Sequence, residues 1–386
     1  MNKKELTAYQ RCMRVIEGGV PDMMPSYTPT IACEVASKIL GRNVDTGGPS
    51  LWYAEAKALA AGGSAHDEFL QKYEESLIEL NRALDIEVFR YGFRKSDRPT
   101  SQIDEFTFLY GDPDGIYQVW KWDQTAGNYF PVKNTAPKRN PEDMPQVAKD
   151  MAQSLPEKLK VIESMDVLPE RKLQDALGEE MFVVAGGATL SVGLDEAALM
   201  ACFLDPGAIG DILDCQLELG LAQLDLIARS GIKVVLGGGD MADKNGPMYS
   251  PQIFNRLIIP RLKKLMARAK EHGIHYVWRT DGNIWSVADM IFHDADVSGY
   301  GEVDYDASMT TATIREKYPD LVIWANLSGD FLHQRSEKDA YDYSLRVLRD
   351  SRGSHYFHGC SNTILSGTPT ENVWAMMKAR NDYQIP

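Results

Sequence analysis

The chain has 386 residues, of which 44% are hydrophobic and 25% charged, and its formal net charge is −14 with a pI near 5.0. This balance is typical of a globular protein with a large core and argues against long disordered segments. An acidic surface disfavours binding to nucleic acid or to anionic lipid, because both need lysine and arginine to neutralise phosphate.

The first residues enter a helical pattern without the apolar run of a signal peptide, and no stretch approaches the roughly 20 apolar residues of a membrane span. The five cysteines are Cys12, Cys33, Cys202, Cys215 and Cys360, an odd number at scattered positions. That pattern is typical of reduced thiols rather than of a disulfide framework. We therefore expect a cytoplasmic protein.

Helical periodicity alternates with short β-rich runs along the chain. Helices are predicted at Lys4–Glu17, Glu68–Leu84, Pro141–Met165, Gly207–Ser230, Pro251–Glu271, Glu337–Asp350 and Thr370–Arg380. Strands are predicted at Met24–Tyr27, Ile86–Tyr91, Met181–Val184, Lys233–Leu236, His275–Trp278, Val297–Tyr300, Leu321–Trp324 and His355–Phe357. Such alternation indicates a parallel α/β sheet, and eight strands without an evident domain break favour a (β/α)8 TIM barrel over an open doubly wound sheet.

We expect a single barrel domain over residues 1–386, with a helical extension over 1–85. One insertion interrupts the alternation at 105–122, where two strands are joined by Gly-Asp-Pro-Asp-Gly, a strong turn sequence. This β-hairpin is rich in aromatic residues, namely Phe106, Phe108, Tyr110, Tyr117, Trp120 and Trp122. It could form a wall or lid of a pocket, or it could be a surface decoration.

Polar residues follow the predicted strands of the second half, where TIM barrels place their active sites. Each of these loops pairs glycine with acidic, amide, thiol or imidazole groups, and the candidate site residues are Asp240, Arg279, Asp281, Asn283, Trp285, Glu302, Asn326, His358 and Cys360. Asp281, Glu302 and Cys360 are the catalytic candidates, and the other six are candidates for substrate binding. Any one of them could instead be a turn residue or helix cap. Five such loops in succession favour a site.

Asp281, Glu302 and Cys360 each follow a strand at the same face of the predicted barrel, so they could converge on one metal ion. Three protein ligands with an open position are typical of catalytic zinc. Two carboxylates make this ligand set chemically harder than one of thiolates and imidazoles, which favours a substrate that binds through oxygen. The alternative is that Arg279 pairs with Asp281 or Glu302 and that no ion binds.

The stretch from Gly237 onward contains a series of short motifs, namely Gly239-Asp240, Gly246-Pro247, Ser250-Pro251, Asp281-Gly282-Asn283-Ile284, Glu302, Gly359-Cys360-Ser361, Gly367-Thr368-Pro369 and Glu371-Asn372-Val373. In these motifs it resembles the uroporphyrinogen decarboxylase superfamily, which includes corrinoid-dependent methyltransferases. The resemblance implies a TIM barrel with an amino-terminal helical extension.

Two branches of that superfamily differ in their residues. The decarboxylases bind a polycarboxylate with a pair of arginines near the amino terminus, whereas Pro21–Thr28 here contains none. Zinc-dependent methyltransferases carry His-X-Cys after one strand, a glutamate after the next strand, and a cysteine on the last strand. Glu302 and Cys360 match this pattern in type and place, but Arg279 and Asp281 replace the histidine and the first cysteine.

The resemblance therefore implies the methyltransferase component of a corrinoid-dependent demethylase. The harder ligand set suits a small O-methylated donor, and Trp285 with the aromatic insertion could form a slot for an aryl methyl ether. No Asp-X-His-X-X-Gly stretch that could ligate cobalt is present, so we expect the corrinoid on a separate protein. The alternatives are a decarboxylase or lyase of a small carboxylic acid, and a binding barrel without catalysis.

Overall fold

The computed structural model describes residues 5–386. Its helices are α1 (Ala8–Ile16), α2 (Cys33–Leu40), α3 (Pro49–Ala61), α4 (Ala65–Leu84), α5 (Met144–Ser164), α6 (Pro169–Leu177), α7 (Glu196–Leu204), α8 (Pro206–Arg229), α9 (Pro251–Leu257), α10 (Ile259–Glu271), α11 (Thr311–Lys317), α12 (Gly329–Gln334), α13 (Glu337–Asp350) and α14 (Thr370–Asp382). Its strands are β1 (Thr30–Ile31), β2 (Val88–Phe89), β3 (Ser101–Asp104), β4 (Thr107–Gly111), β5 (Tyr117–Asp123), β6 (Asn128–Asn134), β7 (Phe182–Val183), β8 (Ala185–Thr189), β9 (Val234–Gly238), β10 (Ala242–Asp243), β11 (Gly246–Pro247), β12 (His275–Arg279), β13 (Gly299–Gly301), β14 (Val322–Trp324), β15 (Tyr356–Phe357) and β16 (Thr363–Ile364).

Eight parallel strand positions form a closed ring. The largest sheet has the order β15-β14-β13-β12-β9-β8, and β7, which directly precedes β8, pairs with β2. The segment around Ser26 closes the ring, because it bridges His358 beyond β15 and its carbonyl accepts the backbone N–H of Val88 in β2. The predicted TIM barrel is confirmed, and each of the eight predicted strand regions contributes one position of the ring.

The interior of the barrel is filled by alternate side chains of these strands. One apolar cluster joins Tyr27, Val88, Phe182, Val184, Val234, Leu236, Val277, Val322, Trp324 and Phe357. Trp324 and Phe357 stack with ring centroids 4.0 Å apart, and Tyr27 meets the edge of Trp324 at 5.3 Å. Cys12, Val15 and Ile16 of α1 belong to the same cluster, so this amphipathic helix closes the bottom of the barrel.

A buried ion network fastens α1 to the barrel and to α14. Arg11 donates to Asp22 at 2.6 Å and pairs with Glu87, which lies just before β2. Arg380 of α14 lies 3.1 Å from Glu87 and donates to the carbonyl of Met24 at 2.6 Å. Both arginines are almost fully buried. Because Arg11 of α1 and Arg380 of α14 share the carboxylate of Glu87, the network holds both helices against the same side of the barrel. Removal of one of these charges would leave another charge buried without a partner, which destabilises the fold.

The predicted hairpin is confirmed as β4 and β5, and it belongs to a larger antiparallel sheet with the order β3-β4-β5-β6. The aromatic face of this sheet packs on α3. The ring of Tyr53 stacks on that of Trp122 with centroids 4.9 Å apart, and it meets the ring of Phe108 edge to face with centroids 6.1 Å apart. None of the insertion's aromatic side chains lines the acidic cavity described below. Among residues 5–386 no helix combines the length and the apolar character that a membrane crossing requires.

Candidate active site

The mouth of the barrel is formed where the strands end, and two glycines there let neighbouring backbone segments pack closely. A methyl group at Gly238 would lie 2.2 Å from the carbonyl oxygen of Arg279, and one at Gly359 would lie 1.9 Å from that of Tyr27. Both glycines have positive φ angles. Only glycine allows the strands to approach this closely, so these positions fix the shape of the mouth.

An acidic cavity of about 300 Å³ opens at this end of the barrel. Its wall carries five carboxylates, which belong to Asp281, Glu302, Asp304, Asp306 and Asp330. The remaining lining residues are Ser328, Gly329, Ser361, Asn362, Thr363 and Leu365. The loops that follow β12, β13, β14 and β15 all contribute, so the cavity lies where the sequence predicted a site.

Arg279 and Glu302 form a partly buried ion pair at the edge of the cavity. Arg279 is two residues beyond Val277 and therefore shares the inward face of β12. Glu302 has a φ angle of +59°, a left-handed conformation that ends the alternation of β13 and turns its carboxylate toward Arg279. The sequence left open whether Arg279 pairs with Asp281 or Glu302, and in the structure it pairs with Glu302.

Asp281 is the carboxyl whose ionisation is most altered in the cavity. Burial raises its pKa to about 6, and the negative charges of Asp240 and Glu302 act in the same direction. Desolvation and the charge of Glu302 also raise the pKa of Asp240, while Arg279 lowers it. Near neutral pH Asp281 is thus a carboxyl that can exchange a proton with a bound molecule.

Cys360 and His358 lie on the outward face of their strand, because they share the parity of Tyr356 rather than that of Phe357. The thiol of Cys360 packs in the outer apolar cluster, where burial raises its pKa to about 12. His358 bonds the carbonyl of Met376 in α14 at 3.2 Å, and burial lowers its pKa to about 3. Neither side chain lines the acidic cavity, contrary to the expectation from their sequence positions.

The predicted zinc ligands do not fit a metal ion in this arrangement. Within residues 5–386 no three histidine, cysteine, aspartate or glutamate side chains are grouped so that they could hold one. Glu302 is engaged by Arg279, and the Cys360 thiol packs in the outer apolar cluster instead of lining the cavity. We therefore derive no catalytic step through a metal at Asp281, Glu302 and Cys360.

Metal analysis of the wild type and of Cys360→Ala tests this reading. Because the thiol is turned away from the cavity, we expect the two proteins to contain the same amount of zinc after purification in parallel. A clear loss of zinc in Cys360→Ala alone would restore the cysteine to a metal site. Cys202→Ala, which removes another buried thiol, serves as the control for an effect of substitution in the core.

The remaining candidate residues occupy different environments. The amide of Asn326 is fully used, since it accepts from the backbone and hydroxyl of Thr311 and donates to the carbonyls of Val303 and Met309. Asn283 accepts the backbone N–H of Trp285, whose indole donates to the carbonyl of Ser308 at 3.2 Å. These three residues thus hold the loops around the cavity, and none of them lines it.

Sequence reasoning missed several residues of the cavity wall. Asp304 and Asp306 follow Glu302 in the same loop, and Asp330 follows Ser328 beyond β14. The rule that polar residues after barrel strands form the site would have included them. Strand alternation would have selected Ser361 in place of Cys360, because Phe357, Gly359 and Ser361 share one parity.

Comparisons with known proteins place the chain in a family. Residues 183–383 match the family model described as Uroporphyrinogen decarboxylase (URO-D), which is more than half of the chain. A solved structure, "methyltransferase from Methanosarcina mazei", is similar with a TM-score of 0.61 and 16% identity, and the match covers 98% of this chain and 99% of that one. At this identity the likeness shows the fold.

Two other solved structures are similar at lower TM-scores. A "xylose isomerase-like TIM barrel/4-hydroxyphenylpyruvate dioxygenase fusion protein" has a TM-score of 0.35 and 14% identity, over 58% of this chain and 40% of that one. A D-psicose 3-epimerase has a TM-score of 0.33 and 13% identity, over 59% and 90%. Neither likeness is close enough to carry an argument. No curated protein matches the sequence.

Proposed function

Since the chain belongs to the uroporphyrinogen decarboxylase family, we propose that it is a methyltransferase that moves a methyl group from a small O-methylated compound to a corrinoid protein. The observation that carries this proposal is Asp281, a carboxyl with a pKa of about 6 in the wall of the acidic cavity. The printed name of the Methanosarcina mazei protein, a methyltransferase of the same fold over nearly the whole chain, supports it.

The chemistry requires a proton at the leaving oxygen. When the methyl carbon leaves an ether, the carbon–oxygen bond breaks and the oxygen keeps the electron pair, which makes an alkoxide or phenolate a poor leaving group. The protonated carboxyl of Asp281 would give its proton to that oxygen, so that an alcohol or phenol departs, and solvent would then reprotonate the carboxylate. General acids work best when their pKa lies near the working pH, and a carboxyl with a pKa of about 6 suits a reaction close to neutral pH.

A reduced corrinoid supplies the nucleophile for the methyl group in this proposal. It has to reach the mouth from a partner protein, because the chain has no cobalt-ligating Asp-X-His-X-X-Gly stretch. Exposed apolar side chains in the chain segments that follow β8 and β9 support docking at this end. They are Leu194 and Met248 in loops and Phe203 and Leu204 at the end of α7.

The assay that tests the proposal follows a panel of methyl ethers with free cob(I)alamin, whose absorbance changes on methylation. We expect a decrease of the cob(I)alamin absorbance that depends on both enzyme and ether. An exposed carboxylate far from the mouth, Asp175 on α6, provides the control variant Asp175→Asn, which should keep full activity. A panel without any methylated corrinoid would refute the methyltransferase.

The pH dependence of the transfer rate should report the ionisation of Asp281. Because the acid form gives the proton, we expect the rate to fall as the pH rises through about 6. In Asp240→Asn a neighbouring negative charge is removed, which lowers the pKa of Asp281, so the fall should move to lower pH. Asp243→Asn is the matched control, since its carboxylate bonds the backbone of Asn245 and Gly246 instead. An unchanged midpoint in Asp240→Asn would contradict this role.

Decarboxylation of uroporphyrinogen should be undetectable. Pro21–Thr28 contains no arginine, and the acidic cavity would repel a polycarboxylate at the mouth. Chromatography of the porphyrins after incubation and oxidation checks this expectation. Coproporphyrin formed at an enzymatic rate would instead place the chain in the decarboxylase branch of the family.

A further inference from the structure

A second cavity, of about 550 Å³, opens between α4, the segment that follows β2 and the start of α6. It shares no lining residue with the acidic cavity. Its apolar walls belong to Leu70, Tyr73, Tyr91, Phe93 and Leu168. A cavity of this size, with largely apolar and aromatic walls and a few polar groups, is typical of binding sites for small molecules.

Hydrogen bonds hold the aromatic walls of this second cavity in place. The backbone N–H of Gly92 donates to Oη of Tyr73 at 2.8 Å, which fixes the segment after β2 on α4. The rings of Tyr73 and Tyr91 lie with their centroids 6.3 Å apart. Phe93 is 70% exposed at the rim, where the indole of Trp52 donates to its carbonyl at 3.1 Å and meets its ring edge to face. The walls are therefore formed before any ligand binds.

Two carboxylates give the second cavity a negative charge. Oη of Tyr91 donates to Glu74. Burial raises the pKa of Tyr91, and the bond to Glu74 and the charge of Glu170 act in the same direction, so both carboxylates lie near this hydroxyl. Within residues 5–386 neither glutamate forms an ion pair with a basic side chain. The charge of Arg94 is balanced, because its guanidinium pairs with the buried carboxylate of Glu55.

An ammonium ion with an apolar body complements these walls. Ammonium groups form charge-assisted hydrogen bonds to carboxylates and are attracted to the faces of aromatic rings. The guanidinium carbon of Arg94 already lies 5.7 Å from the centroid of the Tyr73 ring, so this wall accepts a cation. We propose that the second cavity binds a small organic amine as its ammonium ion, with the charge beside Glu74 and Glu170 and the apolar part against the aromatic walls. The site stands on these contacts alone and is independent of the proposed methyl transfer.

Calorimetric titration of the full chain at low ionic strength tests the amine site. The probes are 2-(1-naphthyl)ethylamine, which is charged near neutral pH, and the neutral 2-(1-naphthyl)ethanol of similar shape. We expect the wild type to bind the amine about tenfold more tightly than the alcohol or better. Glu170→Gln and Glu74→Gln should each weaken binding of the amine by about tenfold, as expected for the loss of a charge-assisted hydrogen bond, and leave the alcohol unaffected.

Three further measurements make the result specific. Glu75→Gln changes the neighbour of Glu74 on α4, whose carboxylate bonds Gln71 at 2.9 Å outside the cavity, and it should bind both probes as the wild type does. Phe93→Ala removes an apolar wall and should weaken binding of amine and alcohol alike. The melting temperature of Glu170→Gln should not fall, because the substitution removes a partly buried charge that has no basic partner.

The acidic cavity is the other place where an amine would bind, and Asp330→Asn in its wall separates the two sites. We expect this variant to bind the amine as the wild type does. Weaker binding in Asp330→Asn together with full affinity in Glu170→Gln would assign the amine to the acidic cavity and overturn the proposal. Equal affinity of the wild type for amine and alcohol, or no binding of the amine, would overturn it as well.

Discussion

Replacement of Asp281 by asparagine is expected to slow methyl transfer by about a thousandfold, the typical contribution of a general acid. The same change should stabilise the fold above about pH 6, because asparagine carries no charge that must be held among Asp240, Glu302 and Asp304. Activity and stability would thus move in opposite directions, as expected where a site stores unfavourable electrostatic energy.

The sign of the stability effect follows from the two pKa values. The pKa of Asp281 is about 6 in the native protein and about 3.9 in an unfolded chain, so the native state favours the proton. The stability that this proton contributes is complete below about pH 4 and is lost as the pH rises through about 6. Above that pH the gain for Asp281→Asn should be about 1–2 kcal/mol, after allowance for solvent screening of a partly exposed carboxyl.

Thermal unfolding of the wild type and Asp281→Asn at several pH values, together with the cob(I)alamin assay, measures both effects. At low pH, where the wild-type carboxyl is already neutral, the two melting temperatures should converge. Asp175→Asn should change neither quantity. Retained activity in Asp281→Asn would remove this residue from proton transfer, and a gain in stability that did not depend on pH would need another cause.

Replacement of Gly359 by alanine should have the largest effect on stability. The new methyl group would lie 1.9 Å from the carbonyl oxygen of Tyr27, and the φ angle of +154° is one that side chains other than glycine rarely adopt. The contact involves backbone on both sides, so relief requires the first and last barrel positions to separate. Backbone strain and overpacking together predict a loss of about 3–5 kcal/mol.

Gly186→Ala is the matched control, since Gly186 also lies in a barrel strand and a methyl group there meets no atom within 4 Å. We expect chemical denaturation to show little change for Gly186→Ala and a greatly lowered midpoint for Gly359→Ala. Similar stabilities of the two variants would mean that the barrel tolerates opening at this point.

The barrel was predictable because its signals are local and repeated. Apolar runs such as Val234–Gly238 stand out between helices, and the start of α9 is marked by Ser250, whose hydroxyl accepts the backbone N–H of Ile253. The uncertain part was the insertion. Its two outer strands, β3 and β6, are largely exposed and lack an apolar pattern, so only the inner pair was predicted.

The site was predictable by region but not by side chain. Sequence places Glu302 and Cys360 directly after their strands, yet the direction in which each points depends on details of the backbone. The alternation of β15 turns Cys360 outward, and this could have been counted from Phe357. The positive φ angle of Glu302 turns its carboxylate into the mouth, although the alternation of β13 would direct it outward. No residue type in Gly301-Glu302-Val303 predicts this φ angle.

The closure of the ring has a consequence for synthesis in the cell. The amide of Cys360 bonds the hydroxyl of Thr28 across 332 residues of sequence, so the first barrel position lacks its last neighbour until that much more chain has emerged from the ribosome. At about 5–20 residues per second this wait lasts roughly 15 to 65 seconds. During this time the unpaired edge of the first strand can form hydrogen bonds with nascent chains on neighbouring ribosomes of the same messenger RNA. Expression should accordingly be sensitive to the supply of chaperones that cover such edges.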